Sequence, residues 1–473
     1  LYSTLNNDYK RLKVFFLIGS TLFIISVMLL FGLYENALFA LATAKLKSPP
    51  HILYMVLYSA EAILLTIFVS LLKNNNVLPI INCRLLPLLG RNSLLAYVGH
   101  YFLFLAGPIG LIVLDKRTAI GELMIFLEVY PQANVYTLVD FLPEEDRDWL
   151  GNITVTTSFI QRLPFAKKRY RNYFPLFPIA IEQFDLSGYD LVISSSYSAA
   201  KGVITGPEQL HVSYCHSPAR YAWDMQEQYL RESGMSSGVK SVIARYFLHK
   251  FRIWDVRTAN GVDKFVANSS FIKKRINKCY RREADVIYPP VDIQKFTLEK
   301  NKDDFYLAAS RLVPYKRLDL IAEAFVKMPS KKLKIIGDGP QMQKIKEIVG
   351  NAENIELLGY QSDEVMLNNM QKAKAFVFAA EEDFGIIPVE AQACGTPVIA
   401  FGKGGCLETV KNNVSGIHFN QQTASCIIEA VTQFESQIGQ FSAEEVRLNA
   451  EKFSCAAFKM NVKGLIEKAM LDL

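Results

Sequence analysis

Ten short apolar runs, separated by amphipathic stretches, occupy the chain from residue 119 onward in two sets of five. The first set is 134–139, 189–194, 209–215, 264–268 and 285–288. The second follows Pro289-Pro290 and the polar run 298–304, and comprises 305–309, 332–336, 354–358, 375–379 and 397–400. Between them lie helical stretches such as 179–184 and 239–255. Strands separated by helices return through crossovers, and the sheets that result are parallel and covered on both faces. Two such sets joined by a proline-containing linker predict two doubly wound α/β domains, 115–296 and 297–473, facing a cleft. In sheets of this kind ligands lie beyond the carboxyl ends of the strands, so chemistry is sought in the loops that follow them.

The first 114 residues have a different texture. Runs 13–33, 51–72 and 93–114 are apolar and long enough to cross a hydrocarbon core of ~30 Å at ~1.5 Å per residue. They predict an all-α segment, 1–114, of about three transmembrane helices. Glu61 and His100 would be costly against lipid and are expected to face a bundle interior. The formal charge of +6 sits mostly here: residues 1–114 carry +5 and the remainder +1. A globular part so nearly neutral argues against nucleic acid as a partner. Basic residues divide between both ends of the apolar runs, so charge bias leaves orientation open. The seven cysteines are odd in number and scattered, with no Cys-x-x-Cys pair, which fits a reducing compartment and neither a disulfide framework nor a zinc site. The chain opens on Leu1, as expected of a piece of a longer one.

Three loops of the second domain carry candidate chemistry. After 305–309 come Arg311 and Lys316, two cations on a loop leading into a helix. They can clamp a diphosphate, the arginine by a forked contact and the lysine as a point charge, although a basic helix start reads the same way. After 332–336 comes Gly337-Asp338-Gly339-Pro340, where glycines permit close approach of backbone to a ligand or simply punctuate a turn. After 375–379 come Glu382 and, eight residues on, Glu390, with Phe384, Gly385, Ile386 and Ile387 between them and Pro388 suited to a helix start. A carboxylate can grip the two hydroxyls of a ribose, and free amides at a helix start can bind a phosphate. The triplet Asp146-Arg147-Asp148 lies in an acidic run after Pro143 and not at a strand end, so it is read as a solvated face and no metal site is assigned.

Taken in order and spacing, these motifs and the continuation Ala391-Gln392-Ala393-Cys394-Gly395-Thr396-Pro397-Val398 resemble the retaining GT-B glycosyltransferases of family 4. The first domain agrees through Ile193-Ser194-Ser195-Ser196, His216-Ser217-Pro218, Arg220, Trp223, Asp224, Ala267-Asn268-Ser269 and Ile287-Tyr288-Pro289-Pro290-Val291-Asp292. The His-Ser-Pro form is similar to bacterial O-antigen and exopolysaccharide mannosyltransferases. The resemblance implies two Rossmann-like domains and transfer of a hexose, mannose from GDP-mannose, onto a lipid-linked or polysaccharide acceptor, with no cofactor and no metal. Arg311 and Lys316 would bind the donor diphosphate, assisted by Gly337. Glu390 would hold the ribose, and Glu382 would contact the transferred sugar beside the amides of Phe384, Gly385, Ile386 and Ile387. His216 would sit by the donor sugar, the alternative being a core histidine after a buried strand; Arg220, Trp223 and Asp224 would lie on the acceptor side. No residue is a secure nucleophile, and the implied mechanism is a same-face attack in which the leaving phosphate takes the acceptor proton. A donor of this kind places the catalytic domains on the cytoplasmic face of a membrane.

Family members open with a strand, a loop bearing paired glycines, and a helix. Here 111–114 is the expected strand, competing with the third apolar run, and Gly121 the single loop glycine. Residues 88–102 are similar to a signature near the end of multi-span acyltransferase-like membrane proteins, which would make 1–114 an anchor. A GT-B sugar-nucleotide epimerase, and a membrane-anchored protein that binds sugar nucleotides without transfer, are the other functions this pattern accommodates.

Overall fold

The computed structural model describes residues 116–472 apart from 144–146, 148–149 and 151–152. The three apolar runs, the stretches 88–102 and 111–114, and Asp146 and Asp148 therefore lie outside the described residues. Among the described residues, no helix is long and apolar enough to cross a membrane.

The chain from 116 onward forms two parallel α/β layers. The first sheet has the order β3-β4-β5-β6, from Leu191–Ser196, Leu210–Cys215, Lys264–Ala267 and Ala284–Val286. A separate parallel pair joins β1 (Val135–Thr137) to β2 (Val155–Thr157). The second sheet has six strands in the order β12-β11-β10-β7-β8-β9. In chain order these are β7 (Tyr306–Ala309), β8 (Leu333–Ile336), β9 (Ile355–Gly359), β10 (Ala375–Phe378), β11 (Val398–Phe401) and β12 (Gly416–Phe419). All ten expected strands are present within two or three residues of their sequence bounds. Two more were not foreseen: Val155–Thr157 is short and polar, and Gly416–Phe419 begins on glycine and contains a histidine, so neither shows an apolar run. The central strands β7, β10 and β11 are buried at every position, as a sheet covered on both faces requires.

The helices follow from the same patterning. In α4 (Ser270–Tyr280) residues Ile272, Ile276 and Tyr280 recur every fourth position and are buried against β5 and β6. Burying each isoleucine contributes ~1.5–3 kcal/mol. Ser269 caps the helix by accepting from the Ile272 amide at 3.2 Å, and Arg281 ends it in the left-handed region at φ 55°. A long helix, α3 (Gly238–Thr258), precedes β5 and buries Ala244, Leu248, Phe251 and Trp254.

Residues 116–129 depart from expectation. Gly121 does not lie in a loop: it is inside α1 (Lys116–Val129). The segment is proline-free and rich in helix formers, and one glycine costs a helix only ~1 kcal/mol relative to alanine. Ile125 and Phe126 of α1 pack with Leu210, Val212 and Tyr214 of β4, and with Phe458, Val462 and Ile466 of the last helix, α11 (Cys455–Leu471). The chain's final helix thus completes the first domain, whereas the sequence boundary assigned it to the second. The two crossings between domains run side by side, with the Val291 amide donating to Phe453 O at 2.8 Å and a bridge joining Val291 to Ser454.

Candidate active site

The residues expected on the donor side gather at the carboxyl edge of the second sheet. Strand β7 ends at Ala309, and the loop beyond it carries Arg311, which is half-buried, and a short 3-10 turn, Pro314–Lys316. Arg317 follows in the left-handed conformation at φ 54° and starts α5 (Leu318–Val326). Strand β10 ends at Phe378, and the chain then runs through Glu382 and Gly385, whose φ of 86° turns it into α8 (Ile386–Ala393). The Lys316 ammonium is ion-paired with Glu382 Oε1, and it lies 5.5 Å and 5.9 Å from the ring centroids of Tyr315 and Phe378. The two groups expected to meet the diphosphate and the sugar are therefore neighbours. Glu390 is the fifth residue of α8, just past its first turn. The opening amides of α8, around Ile386 and Ile387, are of the kind that lack intrahelical partners and attract anions.

Close backbone packing sets this edge. Gly337 and Gly339 have φ of 138° and 156°, and a Cβ at these positions would stand 1.8 Å from Ser310 O and 2.6 Å from Leu312 O. The Gly337 turn thus presses on the loop that carries Arg311, where Leu312 N donates to Asp338 O at 2.9 Å. Gly404 and Gly405 do the same for Glu382 and Phe384: the Gly405 amide donates to Glu382 O at 2.8 Å, and a Gly405 Cβ would stand 2.3 Å from Phe384 Cα. Sequence reading missed this pair, although a glycine cluster directly after β11 was a visible signal.

The first domain contributes a second cluster. His216 directly follows β4, Ser195 lies in β3, and Glu122, a residue not anticipated, projects from α1. His216 Nε2 is 3.2 Å from Glu122 Oε2 and 3.0 Å from Ser195 Oγ, and the Ser195 hydroxyl stands 3.4 Å from the same Oε2. A carboxylate has no proton to give, so the imidazole Nε2–H is the donor. Burial works to lower the His216 pKa, but the Glu122 charge and hydrogen bond, with the more distant Asp383, outweigh it and hold the value above the ordinary histidine range. Glu122 is fully buried, and its Oε1 has no hydrogen-bond partner among the described residues.

The domains meet through Asp383, whose Oδ1 is 3.4 Å from Arg220 and 3.6 Å from Arg275, and whose carbonyl accepts from Ser269 Oγ at 2.5 Å. Glu408 accepts from the amides of Ser270 and Phe271 at 2.8 and 3.1 Å, capping α4 from the opposite domain. Burial pushes the Tyr315 hydroxyl up, opposed by the nearby cations of Arg220 and Arg311. A cleft of about 730 Å³ beside these contacts is lined by Arg220, Asp224 and Arg275 from one domain and Tyr315, Arg317 and Glu381 from the other. It flanks the Lys316–Glu382 pair. Trp223 is turned elsewhere: its Nε1–H donates at 2.8 Å to Asp255 Oδ2, within a buried network where Lys201 pairs with Asp255 Oδ1 at 2.5 Å.

Comparison with known proteins agrees with this arrangement. Residues 134–295 match the Glycosyltransferase Family 4 model, and 291–452 match the model Glycosyl transferases group 1. The two models together span 134–452, one on each of the two α/β domains, and support a glycosyltransferase with a two-domain Rossmann-like fold. An uncharacterized glycosyltransferase of Methanocaldococcus jannaschii is 28% identical over 233 residues, 48% of this chain and 64% of that protein. The alpha-1,3/1,6-mannosyltransferase ALG2 of Saccharomyces cerevisiae is 23% identical over 339 residues, 60% of this chain and 62% of that protein. The chain thus spans less than two thirds of either relative. Anabaena HepE, solved in complex with UDP-glucose, superposes with a TM-score of 0.51 at 18% identity, covering 73% of this chain and 94% of that one.

Proposed function

We propose that the chain is a retaining family 4 glycosyltransferase that moves a hexose, in its most specific form mannose from GDP-mannose, onto a lipid-linked or polysaccharide acceptor in cell-surface glycan synthesis. The observation that carries this reading is the pairing of Lys316 with Glu382 at a sheet edge, beside the N-terminus of α8. Arg311, Lys316 and the α8 amides meet the diphosphate and neutralise charge that develops on it as the sugar leaves, an electrostatic role that needs no covalent step. Donor binding separates Lys316 from Glu382, freeing the carboxylate for the sugar hydroxyls. Glu390 grips the ribose. The acceptor hydroxyl attacks on the face the diphosphate leaves, and the departing oxygen takes its proton, so the anomeric configuration is retained. No metal or other cofactor is invoked. The name of the yeast relative supports mannose; the sugar nucleotide of HepE supports a nucleotide-sugar donor of some kind. The apolar runs before residue 115 anchor the enzyme, with the catalytic domains on the cytoplasmic face where sugar nucleotides are made.

The test is incubation of membranes bearing the full chain with radiolabelled GDP-mannose or UDP-glucose and lipid acceptor. Label is expected in the lipid fraction, and a Glu382→Ala variant should lose roughly 10²–10³-fold in rate. Full transfer by that variant sinks the site assignment. An altered sugar nucleotide without labelled lipid means an epimerase, and donor binding without transfer means a binding protein.

A further inference from the structure

We propose that Glu122 is a positioning residue for the transfer reaction, orienting the His216 imidazole and fixing it as a cationic hydrogen-bond donor toward the donor substrate. Three elements converge on this ring. Helix α1 supplies Glu122, strand β3 supplies Ser195, and the end of β4 supplies His216 itself. Nε2–H is committed to Glu122 Oε2 at 3.2 Å, with Ser195 Oγ at 3.0 Å. The ring edge is packed against Tyr214 at a centroid separation of 5.3 Å. With Nε2 engaged and one edge packed, Nδ1–H is the donor the ring can offer to a ligand. His216 keeps 13% of its side chain exposed while Glu122 keeps none, so the carboxylate acts through the imidazole and not on substrate directly. A fully buried carboxylate is expensive unless a cation faces it, and among the described residues His216 is the group that faces it. The charged and titratable groups that reach the ring are Glu122 from α1, Asp383 from the opposite domain and the neighbouring Tyr214 phenol.

This rests on reading the cleft as the site of sugar transfer, so the test has one readout that needs no turnover. In the full chain labelled with ¹³C at histidine Cε1, the His216 signal is assigned by its loss in a His216→Asn variant and titrated with pH. Because Glu122 holds the proton on His216, the cationic form persists to higher pH and is lost as pH rises through the shifted value. Glu122→Gln keeps the shape and removes the charge. It should move the His216 titration to lower pH and carry the alkaline limb of kcat/KM with it. The expected loss in kcat/KM is about tenfold near pH 8 and less under acid conditions, below the ~10²–10⁴-fold of a group that itself transfers the proton. Glu122→Asp should recover part of both changes, and guards against a variant that fails to fold. An unmoved His216 titration in Glu122→Gln overturns the proposal, as does an activity loss equal at every pH, the mark of a merely structural role. If the chain transfers no sugar at all, the titration still decides the Glu122–His216 coupling, and only the transfer reading fails.

Discussion

His211 and His216 sit five positions apart, at the start and just beyond the end of one buried strand, and their surroundings drive them in opposite directions. His211 is fully buried, its Nδ1–H donating to Gly261 O at 3.0 Å and its Nε2 accepting from Ser194 Oγ at 2.9 Å. Burial holds it neutral and lowers its pKa. The unfolded chain then binds a proton that the folded one refuses, so stability is full above the unfolded value of about 6.5 and falls as pH drops below it. His211→Asn should flatten that acid limb, read as urea midpoint against pH; an unchanged limb would show that other groups carry it. Lys201 and Asp255 pose the reverse case, a charged pair with side chains 4% and 0% exposed. Asp255 also accepts from Trp223 and Tyr280. Lys201→Met leaves that carboxylate buried without a counter-charge and should cost ~3–5 kcal/mol, measured by chemical denaturation. Lys201→Met combined with Asp255→Leu should be less damaging than the single change.

At the level of strands and loops, the glycine turns decide where the charged side chains stand. Gly337→Ala places a methyl 1.8 Å from Ser310 O at a backbone φ of 138°, so the Ser310–Leu312 backbone must shift. Displacement of about 1 Å in a substrate-binding loop can cost ~10²-fold in rate. Because that loop carries Arg311, the expected signature is a raised KM for the sugar nucleotide with the fold intact by circular dichroism; a wild-type KM would refute the link. The sheets were legible in sequence because a fully buried parallel strand must be an apolar run, as Ala375–Phe378 and Val398–Phe401 are. Glu382, Lys316 and Gly337 were legible because each follows such a run. Glu122 was not: it lies in a helix with no local signal, and only the tertiary packing of α1 on β4 brings it to His216. The Trp223 indole, expected on the acceptor side, turns toward Asp255, a direction that its motif position does not give.

Across the whole described region, the chain crosses between domains twice at one place, Val291 beside Ser454, and polar contacts of Asp383 and Glu408 join the domains near that crossing. Such contacts are the kind that open and shut, since little apolar surface is lost when they part. Asp383 is central among them: a single carboxylate oxygen serves both Arg220 and Arg275, at 3.4 and 3.6 Å, and its residue adjoins Glu382 in the donor loop. Asp383→Asn removes the anion shared by two arginines and leaves Arg275 with its other partner, Asp224; like charges at this range repel by roughly 1 kcal/mol or more near a protein surface. The halves should then part more often when no donor is bound. The amides of Ser270 and Phe271 report this directly, because their acceptor, Glu408, belongs to the other domain. Their hydrogen exchange should quicken about tenfold in Asp383→Asn, the equivalent of about 1.4 kcal/mol in the opening equilibrium. A sugar nucleotide, bringing its own anionic diphosphate between the halves, should restore protection in the variant. Exchange as slow as in the wild type without donor would mean that Asp383 does not hold the cleft shut, and the closure would have to be credited to Glu408 and Ser269 instead.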